Sequence, residues 1–506
     1  MRFPATRRHF LTRTLVGASV LTISRTGLAQ SNSAETKSGR LVDLTATEAV
    51  ALLRSGDLSS ERYTTALLEQ CRKHRALNAF IWQNEEMVLE AARAADKNRT
   101  AKRLGPLHGL PILVKDNIDT ASAPTTGGTP ALRNHRPRAD APVLASLFSA
   151  GAIMLGKTNM HELALGITSN NGAFGAVHNP YDPALIPGGS SGGNGAAIAA
   201  RMCAAGLGTD TGGSVRIPAA LCGITALRPT MGRYPGKGIV PISHTRDTAG
   251  PMARSVRDLA LLDSVITGDR TPARPVALKG VRIGVPRGYF YDNLDPSLAP
   301  VIENALARLR QAGCVLVEAD IPDIDKLYLS ATIPATYYET LHDTSRYLQE
   351  SGERITIQEF AAQIGSPDVK TYYATLVLGP GAPTQAAYEA TMKTRPILQA
   401  AYRNYFQSHN VMAIAFPTTV LPARAIGEDA EIDLNGKTLS TFNTYLRNTR
   451  PMTTAGIPGL SLPVGLTGAG LPVGLEFDAP HGNDRKLLSL GMSLETVFGK
   501  MPPPPY

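Results

Sequence analysis

The sequence predicts an α/β fold built on a buried mixed or parallel sheet. Short apolar runs recur along the chain, segments of helical period lie between them, and 47 glycines and 37 prolines supply the turns this alternation needs. Leu44–Glu48 opens the first helix, with Thr45 as its cap and Glu48 three residues later. Residues 59–71 and the charged run 84–99 follow as amphipathic helices. Gly109–Val114 is a short apolar strand that runs directly into Lys115-Asp116-Asn117. Residues 140–150 read as a helix and Ala152–Gly156 as the next strand. The stretch 165–253 is dense in Gly, Ser, Asn and Pro; it encloses a small-residue helix, Gly195–Cys203, and an apolar approach, Leu207–Thr209, into Asp210. Val281–Val285 is a strand, 297–312 a helix and Val315–Ala319 a strand; 323–410 is more helical and richer in tyrosine. Val411–Phe416, Leu460–Val464 and Leu471–Phe477 return to strand, and no internal repeat is present.

Charge narrows the function classes. The formal charge of +9 includes Arg2, Arg7, Arg8, Arg13 and Arg25 in residues 1–29, which carry no acid, so the remainder is near +4. A surplus that small, without an aromatic-interleaved basic stripe, gives no reason to expect a nucleic-acid partner. Arg7-Arg8 ahead of Phe10-Leu11, the weakly apolar Thr14–Ile23 and the small-residue end Gly27-Leu28-Ala29 read as a secretory signal of twin-arginine type. The expected organisation is a leader over 1–29, a linker over 30–40 and one domain over 41–506, with the mature protein in the periplasm and without a membrane anchor. Cys71, Cys203, Cys222 and Cys314 are widely spaced and read as small apolar residues. His161-Glu162 is not continued into HExxH, so no metal is expected.

Two glycine-dense segments carry the chemistry: Pro187–Gly195, which contains Gly189-Ser190-Ser191, and Gly208–Pro218, which contains Asp210-Thr211-Gly212-Gly213-Ser214-Val215-Arg216. Glycine admits positive φ and close backbone approach, and a polar loop this rich in it suits a nest of N–H groups. A phosphate cradle would need Gly-Lys-[Ser/Thr] or a placed GxGxxG, and neither occurs here. A serine hydrolase fits the residue types, with serine as nucleophile and neighbouring N–H groups as oxyanion donors. There is no GxSxG elbow and no clear Ser-Asp-His order, so a base other than histidine is required. A lysine serves if burial leaves it neutral, and Lys115 follows an apolar strand that would carry it inward.

These segments resemble the amidase signature family. The resemblance covers nearly all of 41–500 and is strongest across Gly109–Asp119, Leu155–Asn170 and Pro187–Pro218. Lys115, Ser190 and Ser214 stand in family order, 75 and 24 residues apart. It implies the amidase signature fold, a central mostly parallel or mixed sheet covered by helices on both faces. It implies that Ser214 attacks the carbonyl, that Ser190, after a cis Gly189–Ser190 peptide, relays the proton, and that Lys115 is the base. The N–H groups of Thr211, Gly212, Gly213 and Ser214 would form the oxyanion hole. Ser191 would join the same network, and Asp210 and Arg216 would hold the loop. No cofactor is implied.

Asn448–Pro463 resembles the arylalkyl-amide hydrolases of that family, of mandelamide or indoleacetamide type. That favours a small-molecule amide substrate with an aryl side; an anilide, a carbamate or a peptide amide stays open. Tyr328, Tyr337, Tyr338, Phe442 and Tyr445 are candidates for an apolar pocket, with core packing as the alternative. An amidotransferase subunit acting on charged tRNA is opposed by the export signal, and a non-enzymatic anion-binding protein by the intact Lys115, Ser190 and Ser214.

Overall fold

The apolar runs pair into one eleven-stranded sheet in the computed structural model, which describes residues 41–99 and 104–505. In chain order the strands are β1 Phe80–Trp82, β2 Pro111–Lys115, β3 Ile153–Thr158, β4 Ala205–Asp210, β5 Thr225–Arg228 and β6 Thr248–Ala253. They continue as β7 Arg282–Gly284, β8 Val315–Val317, β9 Ala413–Pro417, β10 Gly459–Leu466 and β11 Pro472–Asp478. Their order across the sheet is β1-β3-β2-β4-β6-β5-β10-β11-β9-β7-β8. One flank, β3-β2-β4, is parallel, and so is the other, β9-β7-β8. Between them, from β4 through to β9, every pairing is antiparallel. The sheet is therefore mixed rather than mostly parallel. Every residue of β2, β4, β6, β9 and β11 is buried, as helices on both faces require, and β2 and β9 accordingly read as near-continuous apolar runs.

The helices start where local chemistry places them. Ala46–Ser55 opens on a reciprocal capping box: Glu48 N–H donates to Thr45 Oγ1 at 3.2 Å, and Thr45 N–H to Glu48 Oε2 at 2.9 Å. Ser60–Lys73, Glu85–Asn98, Pro142–Ser149 and Ala299–Gln311 follow the expected amphipathic segments. The small-residue helix occupies Gly192–Ala199, three residues earlier than expected. The 323–410 segment contains Ile324–Ser330, Ile333–Ser351, Ile357–Ala362, Pro367–Tyr372 and Gln385–His409. Leu41–Tyr506 forms one compact unit that includes them.

Three strands of the sheet escaped the apolar-run reading: the three-residue β1, and β5 and β6. β5 is Thr-Ala-Leu-Arg and β6 is Thr-Ala-Gly-Pro-Met-Ala, composed like turns, yet both lie buried in the antiparallel centre. At Gly250 a Cβ would meet Leu227 O at 2.7 Å, so the glycine is there to admit the neighbouring strand. The leader and linker over 1–40 lie outside the described residues. Among the described residues no helix is long and apolar enough to cross a membrane, and all four cysteines are free and buried.

Close approach also governs how the helix Arg216–Cys222 seats on the sheet. A Cβ at Gly474 in β11 would lie 2.5 Å from Ala220 Cβ and 2.9 Å from its Cα. Gly474→Ala is expected to cost about 1–3 kcal/mol through overpacking. Gly468→Ala, where nothing lies within 4 Å, should change stability by less than about 0.5 kcal/mol. Denaturant unfolding of the two variants beside the parent measures the difference, and equal losses would remove the packing argument.

Candidate active site

β2 is buried from end to end and delivers Lys115 into the protein interior. Its Nζ lies 2.7 Å from Ser190 Oγ and 2.8 Å from Thr209 Oγ1, on the adjoining parallel strand β4. Asn117 Nδ2 donates to the same Thr209 hydroxyl at 3.0 Å. Burial pushes the Lys115 ammonium down to about 7, against the pull of Asp210 and Asp247 towards the charged form. A neutral amine has two N–H donors and one lone pair, so it can donate to Thr209 while accepting the Ser190 hydroxyl proton.

Ser190 follows a cis Gly189–Ser190 peptide bond. Its carbonyl accepts the His161 N–H at 3.1 Å, which ties it to the segment leaving β3. Ser191 links the two glycine-dense segments, since its N–H donates to Ser214 O at 3.1 Å and its hydroxyl to Thr209 O at 3.3 Å. Gly193 admits direct backbone contact: a Cβ there would sit 2.3 Å from Asn159 O and 2.5 Å from Ala79 O.

The loop after β4 is organised by Asp210. Its carboxylate accepts Gly213 N–H at 3.0 Å, Val215 N–H at 3.3 Å, Arg216 Nε and Nη2 at 3.0 Å each, and Arg228 Nη1 at 3.1 Å. Burial alone would raise this acid, but the two guanidiniums prevail and hold it at about 2. Arg216 continues to Glu476, a pair buried on both sides. Thr211 donates its hydroxyl to Asp247 Oδ1 at 2.6 Å, and Thr449 donates to Gly212 O at 2.5 Å.

The oxyanion-donor expectation needs correcting at Gly213. Its N–H is taken by the Asp210 carboxylate, and its φ of 140° belongs to a conformation that favours glycine; a Cβ would meet Thr449 Oγ1 at 2.4 Å. The N–H groups of Thr211, Gly212 and Ser214 have no protein acceptor among the described residues. Among the described residues the Ser214 hydroxyl likewise has no hydrogen-bond partner. The two serines are joined through Ser191 N–H rather than hydroxyl to hydroxyl, and catalytic hydrogen bonds are often long before substrate binds.

Thr211, Gly212 and Ser214 face a cavity of about 480 Å³. Tyr328, Tyr337 and Phe442 line it as expected. Tyr338 does not: its ring stacks on Tyr388 with centroids 4.5 Å apart. Tyr445 does not either; it is fully buried and its hydroxyl donates to Pro422 O at 2.7 Å. Helical period explains the first. Ile333, Thr336 and Tyr337 share one face of Ile333–Ser351, and Tyr338 is turned about 100° away. On Thr441–Leu446, Phe442, Asn443 and Leu446 line the cavity, while Tyr445, one turn on from Phe442, is drawn into the core by its bond to Pro422 O.

The sequence reading missed Arg246, Arg450, Tyr372 and Thr332 in the cavity wall, and the fully buried Lys157. The Lys157 ammonium donates to Ile118 O, Thr120 Oγ1, Pro124 O and Thr125 Oγ1 at 2.8–3.2 Å and lies 3.6 Å from Asp116. Marking every lysine that ends an apolar strand run would have flagged it. His244, Glu339 and Asp343 bring possible metal-ligand atoms within 4.8 Å of one another. Glu339 already accepts from Ser243, Thr245 and Tyr388, and Asp343 from Arg346, so these carboxylates are supplied with donors.

The Amidase family pattern matches residues 62–488. An indoleacetamide hydrolase of Agrobacterium vitis is 45% identical over 447 residues, 88% of this chain and 95% of that one. Mandelamide hydrolase of Pseudomonas putida is 39% identical over 480 residues, 92% of this chain and 93% of that one. Among solved structures, the native peptide amidase of Stenotrophomonas maltophilia superposes with a TM-score of 0.74 at 30% identity, over 91% of this chain and 98% of that one. With the pattern spanning most of its length and its relatives covered almost end to end, this chain belongs to the Amidase family.

Proposed function

We propose that this protein hydrolyses small aryl or arylalkyl carboxamides to acid and ammonia through an acyl-enzyme on Ser214. That it is a hydrolase of carbon–nitrogen bonds other than peptide bonds follows from its family and its amide-hydrolase relatives. The observation that carries the mechanism is the 2.7 Å contact between buried Lys115 Nζ and Ser190 Oγ beside the cavity that Ser214 faces. Neutral Lys115 takes the Ser190 proton while Ser190 takes that of Ser214, whose Oγ attacks the amide carbon. The N–H groups of Thr211, Gly212 and Ser214 receive the developing oxyanion, where each preorganised donor is worth several kcal/mol. The proton returns through Ser190 to the departing nitrogen, and water releases the acid by the same path in reverse. Every group in the sequence belongs to the chain.

The aryl side of the substrate is supported by the two curated relatives and by the Tyr328, Tyr337 and Phe442 lining. The peptide amidase neighbour supports the alternative of a peptide amide on the same three residues. Turnover of aryl primary amides, anilides, carbamates and peptide amides separates these readings by product. Ammonia from the aryl primary amides is expected; release of aromatic amine instead would transfer the enzyme to the anilide or carbamate class. Ser214→Ala should abolish acyl-enzyme formation on all of them, and a surviving covalent adduct would remove Ser214 from its role.

The base is predicted to show itself in pH dependence. Lys115 titrates at about 7 in the folded protein, and its protonated form has no lone pair. Below that pH, kcat/KM should fall about tenfold per unit; above it, the profile should level off. A profile flat from pH 5 to 9 would argue against a lysine base.

We also read residues 1–29 as a twin-arginine export signal that places the mature protein in the periplasm, on the strength of Arg7-Arg8, Thr14–Ile23 and Gly27-Leu28-Ala29. Replacing Arg7 and Arg8 by lysine should leave the uncleaved protein in the cytoplasm. Unchanged export on fractionation would exclude that route.

A further inference from the structure

Arg246 lies in the cavity wall that also holds Ser214, and it is 6% exposed. Its main chain is fixed: its N–H donates to Ser243 O at 2.9 Å and its carbonyl accepts Arg228 Nη2 at 2.8 Å. Its side chain is served at one end. Nε reaches Ser243 Oγ at 3.3 Å, while neither Nη has a protein acceptor among the described residues. Both terminal nitrogens thus open on the cavity, where an acceptor on a bound molecule can take the place of water. The next residue, Asp247, takes the Thr211 hydroxyl, so this side chain is one step from the nucleophile loop.

The surrounding charges do not cancel. Arg246, Arg395 and Arg450 stand against Asp247 and Glu339, which leaves one positive charge over. Asp247 is occupied by Thr211 and by the N–H groups of Ile242 and Ser243. Glu339 is occupied by Ser243, Thr245 and Tyr388, and Asp343 beyond it is answered by Arg346 at 2.7 Å. Arg395 donates to the carbonyls of Thr454 and Thr245. Arg450 donates to Asn443 and lies over the Phe442 ring, 4.7 Å from its centroid. Arg246 and Arg450 both line the cavity, but Arg246 is the buried one and uses neither terminal nitrogen, whereas Arg450 spends Nη1 on Asn443.

We propose that Arg246 is a second recognition point in the substrate cavity, binding an oxygen acceptor on the substrate away from the scissile amide, a carboxylate in preference to a hydroxyl. The inference rests on the amide-hydrolase reading above and adds the substrate class. A planar guanidinium matches a carboxylate bidentately, which answers the charge and engages two of the free N–H groups in one plane. A hydroxyl answers one donor and none of the charge. Ile242, Ile333 and Leu446 line the same cavity and would offer apolar surface to an aryl ring between the two polar ends.

The test compares phenylacetamides carrying hydrogen, hydroxyl or carboxylate at each ring position, on the full-length enzyme and its Arg246→Lys and Arg246→Met variants. For the wild type at the best ring position, kcat/KM should rank carboxylate over hydroxyl over hydrogen, with roughly a tenfold to hundredfold span carried in KM. Arg246→Met should collapse the ratio to about one, and Arg246→Lys, which keeps charge without the fork, should fall between. A purely structural arginine would lower all three substrates together and leave the ratio unmoved. Equal or reversed ranking in the wild type, or a ranking that survives in Arg246→Met, overturns the proposal. Should Arg246→Met unfold, the wild-type ranking and the Arg246→Lys ratio decide. Turnover of the unsubstituted amide without any ranking rejects the subsite alone. No ammonia from any member, with Ser214 left unacylated, rejects the function beneath it.

Discussion

A carboxylate buried out of reach of water must be answered donor by donor, and Asp210 is the place where this protein does so. Two backbone N–H groups and two guanidiniums converge on it, and in being satisfied it fixes the turn that presents Ser214. The same charge bears on Lys115, where it works against the burial that keeps the amine neutral. A free carboxylate so placed would favour an ammonium on Lys115, which has no lone pair to accept a proton. Arg216 and Arg228 answer that charge locally, and the lysine is left to its low-dielectric surroundings. Removing one partner of such a buried set leaves an uncompensated charge, which commonly costs about 3–5 kcal/mol. The loop and the base thus depend on one electrostatic balance.

Topology brings these groups together. β3, β2 and β4 run parallel, so their carboxyl ends lie on the same edge. β2 ends at Lys115, β4 at Asp210, and β3 at Thr158, just before the His161 N–H that holds the Ser190 carbonyl. Open α/β sheets place their sites outside these ends because the loops there are free to vary while the strands stay buried. The antiparallel centre then carries the sheet on to the far parallel flank, and its β5 and β11 supply Arg228 and Glu476 to the buried charge set.

The parts legible in the sequence were those with a local cause. The capping box at Thr45 and Glu48 needs four residues, and buried strands such as β2 announce themselves as apolar runs. The spacing of Lys115, Ser190 and Ser214 is distinctive enough to be read without coordinates. What escaped depends on contacts far apart in the chain. β5 and β6 are composed like turns and become strands because small residues let neighbours close in. Gly213 looked like a fourth oxyanion donor until Asp210 was seen to take its N–H. Tyr338 and Tyr445 were chosen by composition, where helical phase would have rejected the first beside Tyr337. Arg246 gave no local sign, since its unused donors matter through the cavity they face.

The cavity is assembled from two unequal halves. One is the glycine-dense main chain, whose position is set by backbone contacts such as those around Gly193. The other comes largely from helices between 324 and 450, whose lining side chains make no hydrogen bond to Lys115 or Ser190. The reacting groups are therefore insulated from the wall that selects the substrate. Exchanging Tyr337, Thr336 or Phe442 would reshape the cavity without touching the hydrogen bonds of the Lys115 amine. Such a scaffold is modular in the engineering sense: new specificities can be drawn from its helical wall while one unaltered engine serves them all.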